Sequence, residues 1–388
     1  VYLSHLRLTD FRSYEHLDLA LGAGTNVFAG LNGHGKTNLV EAVHFLATLG
    51  SHRVAGDQPL IRSGCEMATV SARVQAGVGD DRSLSVAVEI RAGQSNRAQL
   101  NKAAVRPREI LGAVRTVVFA PEDLAIVRGD PSARRAFIDE LVVTRWPRIA
   151  GVRAEYDRAL KQKTALLKAL SGRGQRHGGG GAEETLDVWD EAIARLGAQV
   201  VAARLRTIDD IHPMLETNYD GIAPVPSHAT MAYQSSFVPP ETSCDVDEVR
   251  EYLAGRIEQR RGEEIARGMC LVGPHRDDLA LSLGDLPVKG YASHGEGWSY
   301  ALALRLASLD LLHDDGVEPI LILDDVFAEL DEHRRTRVVQ AVNSVEQALV
   351  TVAVRRDLPY NLAATMYDVE PGVVVCASGA APGEGTGS

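Results

Sequence analysis

Gly30-Leu31-Asn32-Gly33-His34-Gly35-Lys36-Thr37 satisfies G-x-x-x-x-G-K-[ST] at every fixed position, and those residue types are what a polyphosphate needs. Lacking Cβ atoms, the glycines let successive backbone N–H groups converge on one anion, and the helix that follows adds the positive end of its dipole. Lys36 is long enough to reach the two outer phosphates, and the Thr37 hydroxyl can ligate Mg²⁺. Asn38 carries the nucleotide-contacting run into the helix; position 34 needs no particular side chain, so His34 reads as a tolerated loop residue. The flanks fit this reading. Residues 25–29 (TNVFA) form a short apolar run of strand type, and 38–46 show helical spacing with Leu39, Val43 and Leu46 on one face.

A second group of chemistry-bearing residues closes the apolar run Ile320-Leu321-Ile322-Leu323 with Asp324 and Asp325. A buried parallel strand delivers its C-terminal end to the ligand crevice of an α/β sheet, so carboxylates there lie beside bound phosphates. Asp324 would hold Mg²⁺ and Asp325 would orient or deprotonate an attacking water. An acidic pair can also cap the next helix, a task that Asp331 could equally perform. The preceding P-loop favours the catalytic assignment for the pair.

A third element is Ser293-His294-Gly295-Glu296, ahead of an apolar helix carrying Trp298, Ala301, Leu302, Leu306 and Leu309. A small hydroxyl, a glycine N–H and a helix N-terminus together make an anion site; alone, they are also what an ordinary helix-capping turn looks like. Kinases and GTPases with one P-loop need no second anion site. The order P-loop, long insertion, S-x-G-[EQ], apolar strand with paired acids is that of ABC-type ATPases, in which the signature of one copy completes the ATP site of another.

Strands and helices must position these groups. The first ~120 residues read as strand-rich, with β-type runs at 69–76, 84–91 and 114–119 and alternating Leu17, Leu19 and Leu21. Asp130-Pro131 starts a helix and Trp146-Pro147 breaks it. Two long helices follow, to about residue 170 and over about 186–215, separated by a glycine-rich tip at 172–181. Residues 221–244 read as an irregular connection and 246–265 as a helix, and strand and helix alternate again after Gly273. The expected division is an α/β, ABC-type P-loop ATPase head (residues 1–125 and 269–376), an inserted helical arm (126–268) and a disordered tail (377–388).

Composition narrows the class. No run approaches the ~20 apolar residues that span a bilayer, no basic-then-apolar leader opens the chain, and Cys65, Cys244, Cys270 and Cys376 are scattered, as in a reduced, cytoplasmic setting without zinc. The net charge of −11 speaks against indiscriminate nucleic-acid binding, yet residues 91–176 carry 18 Lys+Arg against 8 Asp+Glu. Such a segment supplies either a phosphate-attracting surface or merely a solvated helix face.

Five runs together resemble the RecF family over nearly the whole length: Leu8-Thr9-Asp10-Phe11-Arg12-Ser13-Tyr14, GLNGHGKTNLVEA from Gly30, Phe119-Ala120-Pro121-Glu122-Asp123-Leu124, Gly273-Pro274-His275-Arg276-Asp277-Asp278-Leu279, and DDVFAELD from Asp324. The resemblance implies an ATPase that hydrolyses slowly, is stimulated by DNA and forms an ATP-dependent homodimer on single-stranded, gapped or junction DNA. It also implies work with RecO and RecR in placing RecA at gaps, and roles in replication and the SOS response. Val1 stands where such chains usually begin with Met, as a non-ATG start codon read literally would leave it. Departures from the wider ABC pattern are specific. Glu296 replaces the usual signature Gln, Asp325 stands where Glu is common, no switch histidine follows residues 349–354, where Thr351 is the polar candidate, and Glu122 is the candidate for a missing Q-loop glutamine. Arg12 either approaches the nucleotide or fixes a turn.

Rival readings are an SMC-type or other DNA-repair ABC head and a non-hydrolysing scaffold clipped by ATP. The former inserts hundreds of residues of heptads, whereas about 150 residues separate Leu124 from His275. A transporter subunit would carry the glutamine, full signature and histidine that are missing.

Overall fold

The structure, a computed structural model, describes residues 1–54, 56–171, 180–223, 227–239, 242–359 and 362–377. The core of the glycine-rich tip expected at 172–181 and the tail from 378 lie outside them. Contacts divide the chain into two compact units: Val1–Leu124, Thr217–Pro226 and Trp298–Ser388 in one, Ala125–Glu216 and Ser227–Gly297 in the other. This partition differs from the sequence division, since residues 217–226 fall in the first unit and 269–297 in the second.

In chain order the first unit begins with β1 (Tyr2–Phe11), β2 (Tyr14–Ala20), β3 (Gly24–Ala29), α1 (Lys36–Thr48), β4 (Met67–Gln75), β5 (Ser83–Arg91), β6 (Arg97–Leu100), β7 (Ala103–Val105) and β8 (Thr116–Phe119). The antiparallel sheet β2-β1-β4-β5-β6-β7 keeps one apolar face. In β4 and β5 the alternation expected from sequence appears directly, with Val70, Val74, Val86, Val88 and Ile90 buried between half-exposed neighbours.

The second unit contains α2 (Leu124–Arg128), α3 (Pro131–Arg145), α4 (Ile149–Ser171), most of α5 (Gly180–Asp220), β9 (Ala229–Gln234), α6 (Val246–Arg267), β10 (Asp278–Leu283), β11 (Leu286–Pro287) and α7 (Val288–Tyr291). Its helices pack around Tyr156, Ile193, Leu196, Leu253 and Ile257. Within that packing Lys163, 1% exposed, pairs with Asp190 at 2.7 Å and Glu264 at 2.6 Å, pinning α4, α5 and α6 together. The stretch read as an irregular connection contains a strand: β9 pairs antiparallel with β10 in the order β11-β10-β9.

The chain continues as α8 (His294–Asp314), β12 (Ile320–Asp324), α9 (Glu332–Ser344), β13 (Gln347–Val352), β14 (Ala364–Glu370) and β15 (Val373–Cys376). A second sheet in the first unit has the order β15-β14-β3-β13-β12-β8. All its pairings are parallel except β14 with β15. Strands β12 and β13 are buried at every residue, the mark of a sheet covered on both faces.

Helix α1 explains that burial. It packs against strands of both sheets, so ten of its 13 residues are buried rather than a single stripe. Leu39, Val43 and Phe45 join a core that includes Val70, Val88, Ile322 and Leu349, each contributing about 2 kcal/mol by burial. Buried Gln347 ties the two sheets, accepting from Leu3 N–H and donating to the carbonyls of Leu3 and Gly22. Among the described residues no helix is long and apolar enough to cross a membrane.

Candidate nucleotide site

The loop between β3 and α1 carries the first set of predicted residues. Gly35 caps α1 with φ 103°, and a Cβ there would lie 2.8 Å from the Ser13 hydroxyl oxygen. At Gly30 a Cβ would meet the carbonyl oxygen of Val369 at 2.3 Å, so the backbone approaches β14 more closely than any side chain permits. His34 Nδ1 lies 3.0 Å from the same carbonyl, which gives this supposedly neutral position a role in fixing the loop. Leu31 is exposed, as are Asn32 and Gly33.

Lys36 is 5% exposed and curls over its own loop. Its Nζ donates to Gly30 O at 2.8 Å, Leu31 O at 3.2 Å and Asn32 Oδ1 at 3.3 Å. Burial pulls its pKa below the usual lysine range, while the charges of Asp325 and Asp324 oppose that pull. The lysine that would meet the phosphates therefore feels both members of the acidic pair.

Strand β12 delivers that pair. Asp324, 4% exposed, accepts from Thr37 Oγ1 at 3.0 Å and from Thr351 Oγ1 at 2.6 Å. Burial pushes its carboxyl pKa up; the two hydroxyls oppose the shift, Glu122 reinforces it and Arg53 counters it. These oxygens fit a hard octahedral cation: Mg²⁺ bonds of about 2.1 Å put adjacent ligands about 3.0 Å apart, the separation found between Thr37 Oγ1 and Asp324 Oδ1. Asp325 leaves the strand in the left-handed region at φ 55°, its N–H donating to Thr351 Oγ1 at 2.9 Å.

The remaining candidates fall in distinct places. Thr351 is fully buried and positions both acids instead of facing an incoming group. Glu122 is exposed in a single turn at Pro121–Asp123, near enough to Asp324 for its charge to register. Arg12 takes the turn-fixing option: its guanidinium grips fully buried Glu41 at 2.8 and 2.6 Å and reaches Pro59 O at 3.0 Å. Asp331 caps α9, accepting from Arg334 N–H at 2.9 Å. Asn38 bridges Ser13 at 2.9 Å and Arg53 at 3.1 Å. Arg53, whose charge reaches Asp324, was not singled out from sequence and sits in no motif.

In the second unit, Ser293 and Glu296 form a reciprocal capping box at the start of α8. Ser293 N–H donates to Glu296 Oε2 at 2.7 Å, and Glu296 N–H donates to Ser293 Oγ at 3.2 Å. Ser293's hydrogen bonds hold the exposed carboxylate below its usual range. Arg128 lies beside this turn, its Nε 3.2 Å from where a Cβ at Gly297 would stand. The capping reading of S-x-G-E is thus realised in full, and Gly295 lies within the capped turn.

Comparison with known proteins extends these observations over the full length. The RecF/RecN/SMC N terminal domain family matches residues 2–371. The chain is 51% identical to the DNA replication and repair protein RecF of Cutibacterium acnes, covering 98% of this chain and 99% of that protein. Identity to the Streptomyces avermitilis RecF is also 51%, over 96% and 99%. The solved structure of the recombination mediator protein RecF-ATPrS in the RecFOR pathway is similar with TM-score 0.86 at 25% identity, covering 97% and 98% of the two chains. An Smc head domain from Pyrococcus furiosus shares the fold at TM-score 0.53 and 17% identity. With its cradle, acidic strand and capped S-x-G-E turn on an ATPase-head fold, the chain belongs to the RecF family.

Proposed function

We propose that this protein is an ATP-dependent DNA clamp of recombinational repair, a weak DNA-stimulated ATPase that dimerises around two ATP molecules. The observation that carries the reading is the joint presentation of Thr37 and Asp324 at the end of the P-loop, 3.0 Å apart and backed by Thr351. Residues 30–38 bind the triphosphate, with Lys36 leaving its loop carbonyls for the outer phosphates. Thr37 and Asp324 would hold Mg²⁺, which when bound would offset charge on the phosphate oxygens. Asp325 orients a water against the γ-phosphorus and takes its proton as the bond to the bridging oxygen breaks and ADP departs.

Ser293, Gly295 and the α8 N-terminus of a second copy meet the γ-phosphate from the other side. ATP then raises the affinity between copies because it is bound in the closed state alone, and hydrolysis releases the clamp. The chain's similarity to DNA replication and repair proteins supports DNA repair and replication as the setting. Within it the clamp meets gapped, single-stranded or junction DNA in the cytoplasm, with RecR and RecO as partners, RecA loading as the outcome and a contribution to the SOS response.

Mixing two defective chains tests the shared site. Lys36→Ala and Ser293→Arg each abolish DNA-stimulated phosphate release alone, yet a mixed dimer restores one intact site and part of the activity. Verified mixed dimers without any recovery reject a site shared between copies. DNA-independent release unaffected by Lys36→Ala would instead favour an ATP-clipped scaffold.

A further inference from the structure

We infer that the outward face of the antiparallel sheet in the first unit is a docking trough for the phosphate backbone of duplex DNA, complete within one copy of the chain. It is a concavity of about 400 Å³ lined by His5, Arg7, Arg73, Gln99 and Lys102 around small residues, and no acidic side chain lines it. This inference rests on the DNA-binding reading above and locates a contact surface that needs neither ATP nor a second copy.

Cross-strand register builds the trough. One row across the sheet runs Arg7, Ser71, Ala87, Gln99, and the next runs His5, Arg73, Ser85. Long polar side chains therefore form the rims, while Ser71, Ser85 and Ala87 leave the floor open to a bulky backbone. From β1 to β6 the trough crosses three strand spacings, about 14 Å, comparable with the ~12 Å major groove that separates two phosphate strands.

Two local irregularities place the cations. A register shift between Leu3 and His5 breaks the alternation of β1. Leu3, Leu6 and Leu8 consequently all reach the core while His5 and Arg7 face outward; unbroken alternation from Leu3 would bury both polar side chains. At the far rim, the two-residue turn Asn101-Lys102 joins β6 to β7 with φ 51° and 67°. The second position of such a turn favours glycine, yet it holds an exposed lysine. Asn101 Oδ1 accepts from Ser85 N–H at 2.9 Å and keeps the turn against the trough.

Charge on this face is available. Arg7 shares Asp18 with His5, whereas the exposed side chains of Arg73 and Lys102 form no ion pair among the described residues. In a chain of net charge −11, the unpaired Arg73 and Lys102, set beside an Arg7 that Asp18 already partners, give this face the free positive charge a polyanion needs.

Fluorescence anisotropy with a labelled duplex, full-length chain and no nucleotide tests this over a salt series. The wild type is expected to bind weakly, and Arg73→Gln/Lys102→Gln should lower the slope of log K against log salt by about 1.8, about 0.9 for each lost phosphate contact. Arg82→Gln removes an exposed arginine paired to Asp80 and should leave the slope unchanged. Equal slope and affinity for the double variant and wild type overturn the trough. Binding that appears with ATP alone and ignores both substitutions leaves the clamp standing and removes the trough, while no DNA binding in any nucleotide state removes both. Displacement by poly-glutamate as effective as by unlabelled duplex would reassign the face to acidic peptides and overturn the DNA assignment.

Discussion

Replacing Thr351 with valine keeps the branched side chain and removes one oxygen from the centre of the nucleotide site. That oxygen donates to Asp324 at 2.6 Å and accepts from Asp325 N–H at 2.9 Å, in a fully buried position. A hydrogen bond to a charged group contributes about 1.5–3 kcal/mol. At about 1.36 kcal/mol per tenfold, its loss from the Mg²⁺-competent geometry corresponds to about a 10- to 150-fold reduction. Phosphate release measured across a magnesium titration at saturating ATP should show a higher half-saturating magnesium concentration, a lower maximal rate, or both, within that factor. Thr351→Ser keeps the oxygen and should stay within about threefold of wild type, since only a methyl is lost. Valine and serine variants with the same magnesium dependence would refute the positioning role, because bulk alone would then account for Thr351.

Acid should weaken the first unit through His44, which burial, with help from Arg305, pushes down to about 3, against a smaller opposing effect of Glu41. The unfolded chain takes up that proton near 6.5, so stability falls as pH drops below it by about 1.4 kcal/mol per unit from this group; urea unfolding of His44→Gln should lose about one proton of that slope, and an unchanged slope rejects the assignment. Asp325→Asn retains a residue type that tolerates left-handed backbone and should accumulate an ATP-loaded dimer by sedimentation; a variant that remains monomeric at saturating ATP removes Asp325 from the hydrolytic step.

What was legible in the sequence was chemistry imposed by local backbone. Glycines at 30, 33 and 35, the lysine beside them and an apolar strand ending in two acids require no distant partner to be recognised, and the structure brings them together. The helix start at Asp130-Pro131 and break at Trp146-Pro147 likewise bounded α3, and α4 and α6 were read to within a few residues. Features decided by distant partners were hidden. Arg12 is fixed by Glu41, 29 residues away and buried inside α1. Strand β9 exists because β10 pairs with it, and in a stretch rich in proline and serine its six residues carry too little alternation to be read alone. That pairing also places residues after 269 with the second unit, although strand and helix already alternate there as they would in the ATPase head. Side-chain capping gives two ambiguous acids a structural partner, since Asp331 accepts from Arg334 N–H and Glu296 from Ser293 N–H.

The paired acids show how adjacent identical side chains acquire different work. Successive residues of a strand point to opposite faces, so a continued β12 would send Asp325 away from whatever Asp324 faces. The chain instead turns into the left-handed region at Asp325, φ 55°, where the Thr351 hydroxyl and carbonyl receive its N–H at 2.9 and 3.3 Å. Both carboxylates thereby act on Lys36. One is buried between two hydroxyls in a geometry suited to a cation, and the other stands half-exposed on strained backbone. Such strain costs on the order of 1 kcal/mol or more and persists where surrounding structure enforces it. Here the enforcing group is Thr351, which ties the inner acid in place with the same oxygen that holds the outer acid's turn, so the metal-binding and water-orienting roles proposed for the pair share one support.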